Sequence, residues 1–467
     1  MAITGIEIFK LLPKTNCKKC GFPTCLAFAM KVAQGQAKID DCPDVGEEVK
    51  AKLKEASTPP IRGFEFGTDT EKIKIGEETV LFRHEKKFNN PVVLAFEIKD
   101  TDENIEDKIN QVLQSQIERV GQILKVDAVY LRNSSGSAEV FKNAIKTLAE
   151  KSPQIPLIFG IENPEIALSA CEYYRGGRPI LYGAKEENLS EMAEIAKKFN
   201  IPLGVSAKGV EKIISLAESL KSKGVEDLIV NTEPSTAGKL LKDNTVIRRA
   251  ALKKGIKALG YPIITFASSI INDNYSVIPR STSDEESTEK SLYETIIASL
   301  AILKYSSIVV LESIPKWKNL VLFTLKQNIY SDPQVPMQVK QDIYKVGEPD
   351  ENSPIIVTTN FALTYFLVRG EIENSKVPAW LAIMDCDGLS VLTAWAAGKF
   401  SASKIAQFIK ESGIEQKLAH RELIIPGYVA MLKGAIEDKL SGWKVIVGTK
   451  EASAIPAFLK SYMRSKN

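Results

Sequence analysis

The chain of 467 residues contains only two histidines, His84 and His420. Because histidine supplies many general bases and metal ligands near neutral pH, this scarcity disfavours mechanisms built on either. No apolar run reaches the roughly 20 residues of a membrane-spanning helix, and the first ten residues, which include Glu7, lack a signal-peptide core. A formal net charge of +3 lacks the basic excess of a nucleic-acid scaffold. These absences predict a cytoplasmic protein that binds neither membranes nor nucleic acid.

Cysteine is also uncommon, and four of the six cysteines fall within the first 42 residues. These four follow the spacing C-x2-C-x4-C-x16-C and are Cys17, Cys20, Cys25 and Cys42. The other two, Cys171 and Cys386, stand alone in long apolar stretches. Because the chain shows no secretory signal, stable disulfides are not expected, and the clustered thiols need another explanation.

Two kinds of metal centre remain open for the four clustered thiols. Structural zinc usually pairs two short Cys-x-x-Cys knuckles, and only Cys17 and Cys20 have that spacing here. A [4Fe-4S] cluster fits better, because ferredoxin-type runs mix x2 and x4 spacings with one distant cysteine. Lys18 and Lys19 would also place positive charge near an anionic cluster.

Residues 1–57 are therefore predicted to form a small [4Fe-4S] domain that ends before the proline pair Pro59-Pro60. Within it, Thr24 to Gly35 is predicted to be a short helix and Val45 to Ala56 a charged one. Beyond the linker, alternating apolar residues over 61–84 predict small antiparallel strands. Because such a cluster moves single electrons, the rest of the chain is expected to contain what the cluster reduces.

Residues 58–325 are predicted to form a barrel domain. Eight short apolar runs have the length of buried strands: 92–98, 127–132, 156–161, 179–183, 202–207, 227–232, 262–267 and 307–312. Amphipathic segments with helical spacing separate them: 103–124, 138–151, 165–175, 186–198, 210–223, 235–259 and 285–305. Alternating strands and helices predict a parallel sheet, and eight repeats predict a TIM barrel. A larger doubly wound sheet is the alternative.

The carboxyl ends of the predicted barrel strands carry polar residues but no recognisable catalytic set. Asn231 and Glu233 have the chemistry to bind a pterin or another amide-rich ring, or simply to hydrogen-bond the surrounding loops. No lysine in a strand suggests a Schiff base, and no carboxylate–histidine triad suggests a metal site. The barrel sequence therefore leaves its own ligand open.

Residues 326–467 are predicted to form a small, doubly wound α/β domain. Its predicted strands are 355–359, 380–385, 422–426 and 443–447, and its predicted helices are 361–369, 389–398, 428–439 and 452–463. Ligands of such folds bind outside the carboxyl ends of the strands. Those ends are small or glycine-bearing, as at Gly388, Gly427 and Gly448, so the backbone can lie close to a large flat ligand.

Four stretches of the chain resemble the large (gamma) subunit of the corrinoid iron–sulfur protein family. They are residues 12–29, which hold the first three clustered cysteines, and residues 358–366, 388–400 and 424–427. The likeness spans both ends of the chain, and the predicted barrel matches the middle of the family's fold. The resemblance implies a protein of the reductive acetyl-CoA pathway.

The resemblance also assigns candidate roles to individual residues. Carried over by position, Cys17, Cys20, Cys25 and Cys42 ligate a [4Fe-4S] cluster. The residues expected to contact a cobamide, a vitamin B12 derivative, are Thr359, Tyr365, Leu389, Ser390, Val391, Leu392, Thr393 and Gly427. Thr393 is the candidate for the residue beneath the cobalt, and Gly448 and Thr449 are candidates for contact with the nucleotide tail.

In this family the cobamide cobalt, as Co(I), accepts a methyl group from methyltetrahydrofolate bound to a methyltransferase. It then delivers the methyl group to acetyl-CoA synthase/CO dehydrogenase, and the cluster reactivates cobalt that has been oxidised to Co(II). The resemblance implies a methyltransferase-type enzyme and a smaller barrel subunit that completes a heterodimer. The chain lacks the Asp-x-His-x-x-Gly motif by which many corrinoid enzymes supply an axial histidine. We therefore expect a base-off cobamide without a protein nitrogen ligand, which makes Co(II) easier to reduce.

Two alternatives differ in class from a methyl carrier. One is an iron–sulfur electron-transfer subunit fused to a barrel of pterin metabolism, without corrinoid. The other is a scaffold subunit with zinc at its amino terminus.

Overall fold

A computed structural model describes residues 5–33, 37–46, 49–50, 59–120, 122–270 and 283–466. The chain divides into two compact units. The first unit comprises residues 1–116 and 125–330, and the second comprises residues 117–124 and 331–467. Among the described helices, none is both long and apolar enough to cross a membrane.

The first unit begins with a small helical module. Its helices are α1 (Gly5–Leu11) and α2 (Cys25–Ala33), and Ile8 and Phe28 form the centre of its core. The helix predicted from Thr24 is confirmed where it is described. The predicted charged helix over 45–56 lies largely outside the described residues.

A hairpin of β1 (Phe64–Thr68) and β2 (Lys72–Ile75) follows, as predicted. The further strand predicted over 79–84 is wrong. There the backbone N–H groups of Leu81 and Phe82 donate to the Glu85 carboxylate instead of to a neighbouring strand. A local side-chain acceptor thus competes successfully with sheet pairing.

The eight predicted barrel strands are all present, as a parallel sheet. They are β3 (Val93–Lys99), β6 (Ala128–Arg132), β7 (Leu157–Gly160), β9 (Ile180–Ala184), β10 (Leu203–Ser206), β11 (Leu228–Asn231), β12 (Ile264–Phe266) and β13 (Ile308–Leu311). Their spatial order is β11-β10-β9-β7-β6-β3-β13-β12. A parallel bridge between Val230 and Ile263 joins the last strand to the first and closes the barrel. The prediction of a TIM barrel is confirmed.

Helices cover the outside of this barrel. They are α3 (Ile105–Gln114), α4 (Ala138–Lys151), α5 (Pro164–Tyr173), α6 (Leu189–Phe199), α7 (Val210–Ser222), α8 (Ala237–Lys254), α9 (Ser283–Leu303) and α10 (Lys316–Tyr330). The short strand β8 (Gly177–Arg178) pairs with β1. Inside the barrel, the inward-facing residues Ala95, Ile158, Ile229 and Val310 form a packed core, against which Phe66 of the hairpin packs.

One barrel helix is shorter than predicted, because the segment expected to be helical over 103–124 ends its helix at Gln114. Ser115 has φ −77° and ψ 69°, outside the helical region, and its N–H donates to the Val112 carbonyl in a tighter turn that ends the helix. The chain then forms a hairpin of β4 (Gln116–Arg119) and β5 (Gln122–Lys125). Most of this hairpin belongs to the second unit, where Val120 is buried in the core.

The second unit is built on a five-stranded sheet. Its strands are β14 (Asp342–Val346), β15 (Ile355–Thr359), β16 (Ala379–Met384), β17 (Glu422–Ile425) and β18 (Lys444–Val447), in the order β14-β16-β15-β17-β18. Its helices are α11 (Ala362–Ser375), α12 (Val391–Ala396), α13 (Ala402–Glu411), α14 (Lys433–Lys439) and α15 (Ile455–Arg464). The four predicted parallel strands are confirmed.

Two parts of this unit were not predicted from the sequence. The edge strand β14 runs antiparallel to β16, which makes the sheet mixed instead of wholly parallel. Its polar and half-exposed residues lack the apolar run of a buried strand. The amphipathic helix α13 follows the predicted segment 389–398 and packs on the sheet through Ile405 and Ile409. Helices on both faces leave the carboxyl ends of β15, β16, β17 and β18 at the sheet's open edge.

Candidate functional site

The four clustered cysteines surround the core of the small helical module. Cys25 and Cys42 are buried, and Cys17 and Cys20 are half-buried. Burial raises the pKa of the Cys42 thiol, and the neighbouring Cys20 and Cys17 thiols raise it further. Cys42, Cys20 and Cys17 are therefore electrostatic neighbours, although Cys42 lies 22 residues after Cys20 in the sequence.

The loop that carries the first two cysteines has an unusual backbone. Lys14, Asn16 and Lys18 have φ angles of 58°, 48° and 62°, in the left-handed region that non-glycine residues rarely adopt. Each such residue costs about 1–2 kcal/mol relative to ordinary backbone. Successive turns of this kind point backbone N–H groups toward one side, which creates a concave surface suited to anions.

Asn16 ties this loop to the third cysteine. Its backbone N–H donates to Cys25 Sγ at 3.3 Å, and its side-chain Oδ1 accepts from the Cys25 N–H at 2.8 Å. Cys25 is the first residue of α2, and the Thr24 hydroxyl caps the helix by accepting from the Ala27 N–H at 3.0 Å. A helix amino terminus stabilises a thiolate, so Cys25 is held in a favourable position for metal ligation.

Positive charge near these thiols is smaller than the sequence predicted. Lys19 forms an ion pair with Asp44 at 3.0 Å, and Asp44 also accepts a hydrogen bond from Cys17. Both hydrogen bonds lower the pKa of Asp44, and the bond from Lys19 has the larger effect. Lys19 is therefore paired with a carboxylate.

The arrangement of the four cysteines also bears on whether they surround a single metal ion. Among the described residues, no group of three or more His, Cys, Asp or Glu side chains is arranged to hold one metal ion. A [4Fe-4S] cluster takes one thiolate on each iron, so its ligands are distributed around a cube instead of around a point. The Asn16 N–H donates to Cys25 Sγ, and a sulfur-directed donor of this kind stabilises an anionic thiolate centre.

The remaining two cysteines have no such environment. Cys171 and Cys386 are buried apart from one another, and all six cysteines are free of disulfides. Burial raises the pKa of each of these two thiols to about 12, so both stay protonated at neutral pH.

The second unit contains a largely apolar cleft of 270 Å³ at the open edge of its sheet. Five of the residues that the sequence assigned to the cofactor line it: Ser390, Val391, Leu392, Gly448 and Thr449. Sequence reasoning missed several further lining residues, among them Thr358, Leu367, Phe458 and Lys450. Leu367 and Leu392 are 51% and 44% exposed, so the cleft carries uncovered apolar side chains that a flat ligand can cover.

Some predicted cofactor residues lie outside this cleft. The ring of Tyr365 is buried in the core, where its hydroxyl accepts a hydrogen bond from Arg369 at 2.5 Å and its ring packs on Tyr344. Thr359 is buried, and Leu389 packs on the core on the opposite face from Tyr365. The structure does not bring these residues to the lining of the cleft.

Thr393 and Gly427 lie near the cleft in the fold without lining it. Thr393 is exposed on α12, and its hydroxyl lies 3.0 Å from that of Ser390. Gly427 follows β17, and a Cβ there would lie 2.7 Å from the Gly448 carbonyl oxygen. Only glycine therefore allows the loop after β17 to lie against the loop after β18.

Asn360 organises the loop that leads to the predicted cofactor residues. It is buried at the end of β15, and its Oδ1 accepts from the N–H groups of Cys386 and Gly388 at 2.9 and 3.0 Å. Its Nδ2 donates to Asp385 at 2.9 Å. This amide fixes the turn that carries the chain from β16 toward Leu389, and the sequence alone gave no signal of that role.

Two threonine hydroxyls at the end of β15 have no hydrogen-bond partner among the described residues. They belong to Thr358 and Thr359, which are 1% and 0% exposed. Buried polar groups in proteins are almost always hydrogen-bonded, so each exception needs an explanation. Thr358 lines the cleft, which makes a bound ligand a natural partner for its hydroxyl.

The histidine of the second unit lies away from this cleft. His420 precedes β17, at the opposite end of that strand from the cleft. Its Nε2 lies 3.0 Å from the Ser353 carbonyl oxygen, and its Nδ1 accepts from the Glu422 N–H at 3.2 Å. Both ring nitrogens are engaged, as a structural histidine requires. His84 belongs to the first unit and stacks on Phe82.

The barrel residues suspected of ligand binding are engaged with each other. Asn231 Nδ2 donates to the Tyr182 hydroxyl at 3.0 Å, and its Oδ1 accepts from the Glu233 N–H at 2.9 Å. These two hydrogen bonds hold the loop that follows β11, as expected for a residue that stabilises a loop.

Comparison with known proteins gives two family profiles and full-length relatives. A family profile described as "CO dehydrogenase/acetyl-CoA synthase delta subunit" matches residues 64–459, and one described as "Putative Fe-S cluster" matches residues 12–43. The corrinoid/iron-sulfur protein large subunit of Moorella thermoacetica is 38% identical over 467 residues, which cover 100% of both chains. The acetyl-CoA decarbonylase/synthase complex subunit gamma of Methanocaldococcus jannaschii is 35% identical, with 98% of this chain and 96% of that protein covered.

A solved structure of dihydropteroate synthase from Thermus thermophilus is 15% identical and aligns with a TM-score of 0.39 over 57% of this chain and 100% of that one. Fold and site together define an α/β protein with a four-cysteine module, a TIM barrel and a cleft-bearing domain with a mixed sheet. The full-length relationships are more specific. The chain belongs to the family of corrinoid/iron–sulfur protein large subunits, whose archaeal members are called subunit gamma.

Proposed function

We propose that the chain is a corrinoid methyl carrier with its own electron-transfer cluster. It accepts a methyl group from methyltetrahydrofolate through a methyltransferase and delivers it to acetyl-CoA synthase/CO dehydrogenase. The names of the relatives support this assignment, since they join a corrinoid, an iron–sulfur centre and an acetyl-CoA complex. The observation that carries the proposal within the structure is the apolar cleft at the carboxyl ends of β15, β17 and β18, whose lining includes no histidine among the described residues.

The cobamide supplies a low-valent metal nucleophile for methyl transfer, and the [4Fe-4S] cluster supplies single electrons. The chain's residues provide the environment for both groups. Cys17, Cys20, Cys25 and Cys42 are the proposed cluster ligands. The N–H group of Asn16 donates toward Cys25 Sγ, and such sulfur-directed donors stabilise the reduced, more negative cluster.

The cleft is the proposed site of the cobamide's nucleotide tail. Gly448 and Thr449 form one wall, Ser390, Val391 and Leu392 another, and the partly exposed side chains at its mouth suit a corrin ring. We propose that Thr393, on the exposed face of α12, lies beneath the cobalt. Its side chain contains no nitrogen and so supplies no axial nitrogen ligand. Four further predicted residues then support the cleft indirectly, because they shape the surrounding loops and the core of the unit. They are Thr359, Tyr365, Leu389 and Gly427.

The position of His420 supports the proposed base-off state. This histidine of the second unit is hydrogen-bonded at the far end of β17 from the cleft, and the described lining of the cleft includes no histidine. Without an axial nitrogen, the low-valent metal is favoured and reduction of Co(II) is easier. The proposed assembly is a heterodimer with a smaller barrel subunit, which meets the methyltransferase and acetyl-CoA synthase in turn.

Metal and corrinoid analysis of the purified heterodimer tests the proposal. We expect about four irons with acid-labile sulfide in each copy of this chain, together with one cobalt and a corrin absorption spectrum. Iron without corrin would instead support an electron-transfer subunit. Zinc without sulfide would support a scaffold.

A further inference from the structure

The cleft of the second unit contains one side chain that its own surroundings do not satisfy. Thr358 lies at the base of the cleft, where most of its neighbours, such as Ile356 and Val357, are apolar. It is 1% exposed, and its hydroxyl has no hydrogen-bond partner among the described residues. The other polar lining side chains, among them Thr449 and Lys450, are half-buried or exposed and can be hydrated.

Two backbone N–H groups near Thr358 are already hydrogen-bonded, so they cannot donate to a ligand instead of its hydroxyl. The Gly448 N–H donates to the Ile425 carbonyl at 2.8 Å, and the Gly427 N–H donates to the Thr449 carbonyl at 2.9 Å. The N–H groups of both glycines are therefore already hydrogen-bonded within the protein. Thr358 is the one deeply buried side-chain donor among the described residues that line the cleft.

A base-off cobamide has a matching need. When the lower base does not bind cobalt, its ring nitrogen keeps a free lone pair. Burial of that lone pair in an apolar cleft costs free energy unless a donor faces it. A hydroxyl supplies one such donor.

We infer that the Thr358 hydroxyl donates a hydrogen bond to the ring nitrogen of the lower base, and so selects cobamides whose base is a nitrogen heterocycle. This inference rests on the proposed function, because it specifies which cobamides that cleft accepts. Thr358 is then a specificity-determining residue that takes no part in methyl transfer itself.

The neighbouring threonine provides a matched control. Thr359 is also fully buried with an unpartnered hydroxyl, but successive residues of a strand face opposite sides of the sheet, and Thr359 does not line the cleft. Val replaces Thr at nearly the same shape and removes only the hydroxyl. Thr358→Val and Thr359→Val therefore make the same chemical change on the two faces of β15.

The test measures equilibrium binding of two probes to the cobamide-free heterodimer. Cobalamin has a benzimidazole base with a ring nitrogen, whereas p-cresolylcobamide has a phenolic group without one. We expect Thr358→Val to weaken cobalamin binding about fivefold, the worth of one hydrogen bond, and to leave p-cresolylcobamide binding unchanged. Thr359→Val removes a hydroxyl that does not line the cleft, so it should leave the ratio of the two affinities unchanged. The unfolding temperature of the cobamide-free Thr358→Val protein should not be lower than that of wild type, because the variant loses only an unpaired polar group.

Three results would overturn the inference. One is equal cobalamin binding by Thr358→Val and wild type, and another is an equal loss for both cobamides. The third is a lower unfolding temperature of the cobamide-free Thr358→Val protein, which would mean that the hydroxyl serves the fold. If wild type binds neither cobamide, the proposed function fails together with the inference, so the two failures are distinguishable.

Discussion

Asn16 and Cys25 are joined by two hydrogen bonds in opposite directions, although they lie nine positions apart in the sequence. The Asn16 N–H donates to Cys25 Sγ at 3.3 Å, and Asn16 Oδ1 accepts from the Cys25 N–H at 2.8 Å. Asn16 adopts a φ of 48°, which asparagine tolerates better than most residues. The pair fixes the loop that carries Cys17 and Cys20 against the helix that carries Cys25.

Replacement of Asn16 by alanine should weaken the iron–sulfur site. The variant loses the acceptor for the Cys25 N–H and places alanine in a left-handed conformation, at a combined cost of about 2 kcal/mol. We expect faster loss of the cluster's absorbance under a chelator. Asn200→Ala is the matched control, since Asn200 has a φ of 51° but caps α6 in the barrel. Equal rates of cluster loss in wild type and Asn16→Ala would contradict the role given to Asn16.

Replacement of Cys20 by alanine should separate the two proposed activities of the chain. Loss of one of four thiolate ligands removes or damages the cluster, while the cleft of the second unit keeps all its residues. Reductive reactivation of Co(II) should be abolished, and methyl transfer from cobalt supplied as Co(I) should persist. Both rates are measured on the cobamide-loaded heterodimer. Cys171→Ala is the control, because its buried thiol serves neither site. Loss of both activities in a folded Cys20→Ala heterodimer would refute this division of labour.

The β4–β5 hairpin should contribute to the stability of the second unit. Val120 is 2% exposed and packs into that unit's core, whereas Ile123 on the same hairpin is 69% exposed. Val120→Ala should lower the free energy of unfolding of this unit by about 2 kcal/mol, and Ile123→Ala should change it little. Denaturant unfolding followed by tryptophan fluorescence measures both. An equal effect of the two substitutions would show that the hairpin is peripheral to the core.

Glu97 in the barrel should make stability depend on pH. It is 3% exposed, neither of its carboxylate oxygens accepts a hydrogen bond among the described residues, and burial raises its pKa. A carboxyl whose pKa is higher in the folded state stabilises the fold fully only below its ordinary pKa, and the benefit is lost as pH rises through the folded value.

Glu97→Gln should therefore be more stable than wild type at neutral pH, and the difference should disappear below about pH 4. Denaturant unfolding at a series of pH values measures this, with the exposed Glu65→Gln as control. A Glu97→Gln protein that is less stable at pH 7 would mean that the contact with Arg132, at 3.2 Å, outweighs burial.

The sequence predicted the buried, repetitive strands and helices of the fold. It did not predict the elements that depend on where a helix ends or on an exposed strand. The eight barrel strands were evident because fully buried parallel strands are continuous apolar runs. The β4–β5 hairpin was not, because the backbone leaves the helical region at Ser115 although the amphipathic pattern continues beyond it. The exposed edge strand β14 lacked the apolar run that marked its neighbours.

The candidate sites divide in the same way. Cysteine spacing indicated the cluster module, but nothing in the sequence indicated that Asn16 would bond to Cys25, because that pairing depends on a left-handed backbone. Glycines at strand ends indicated the correct edge of the sheet. Which side chains line the cleft depends on strand and helix orientation, and this excludes Tyr365 from the lining while it includes Thr358.

We propose that the four-cysteine module serves a cobalt ion held without an axial nitrogen. Electron paramagnetic resonance of the Co(II) form of the cobamide-loaded heterodimer tests this most directly, because an axial nitrogen splits the cobalt lines. We predict cobalt lines without nitrogen splitting, and a signal that disappears on reduction through the cluster. Nitrogen splitting on the cobalt lines would contradict it.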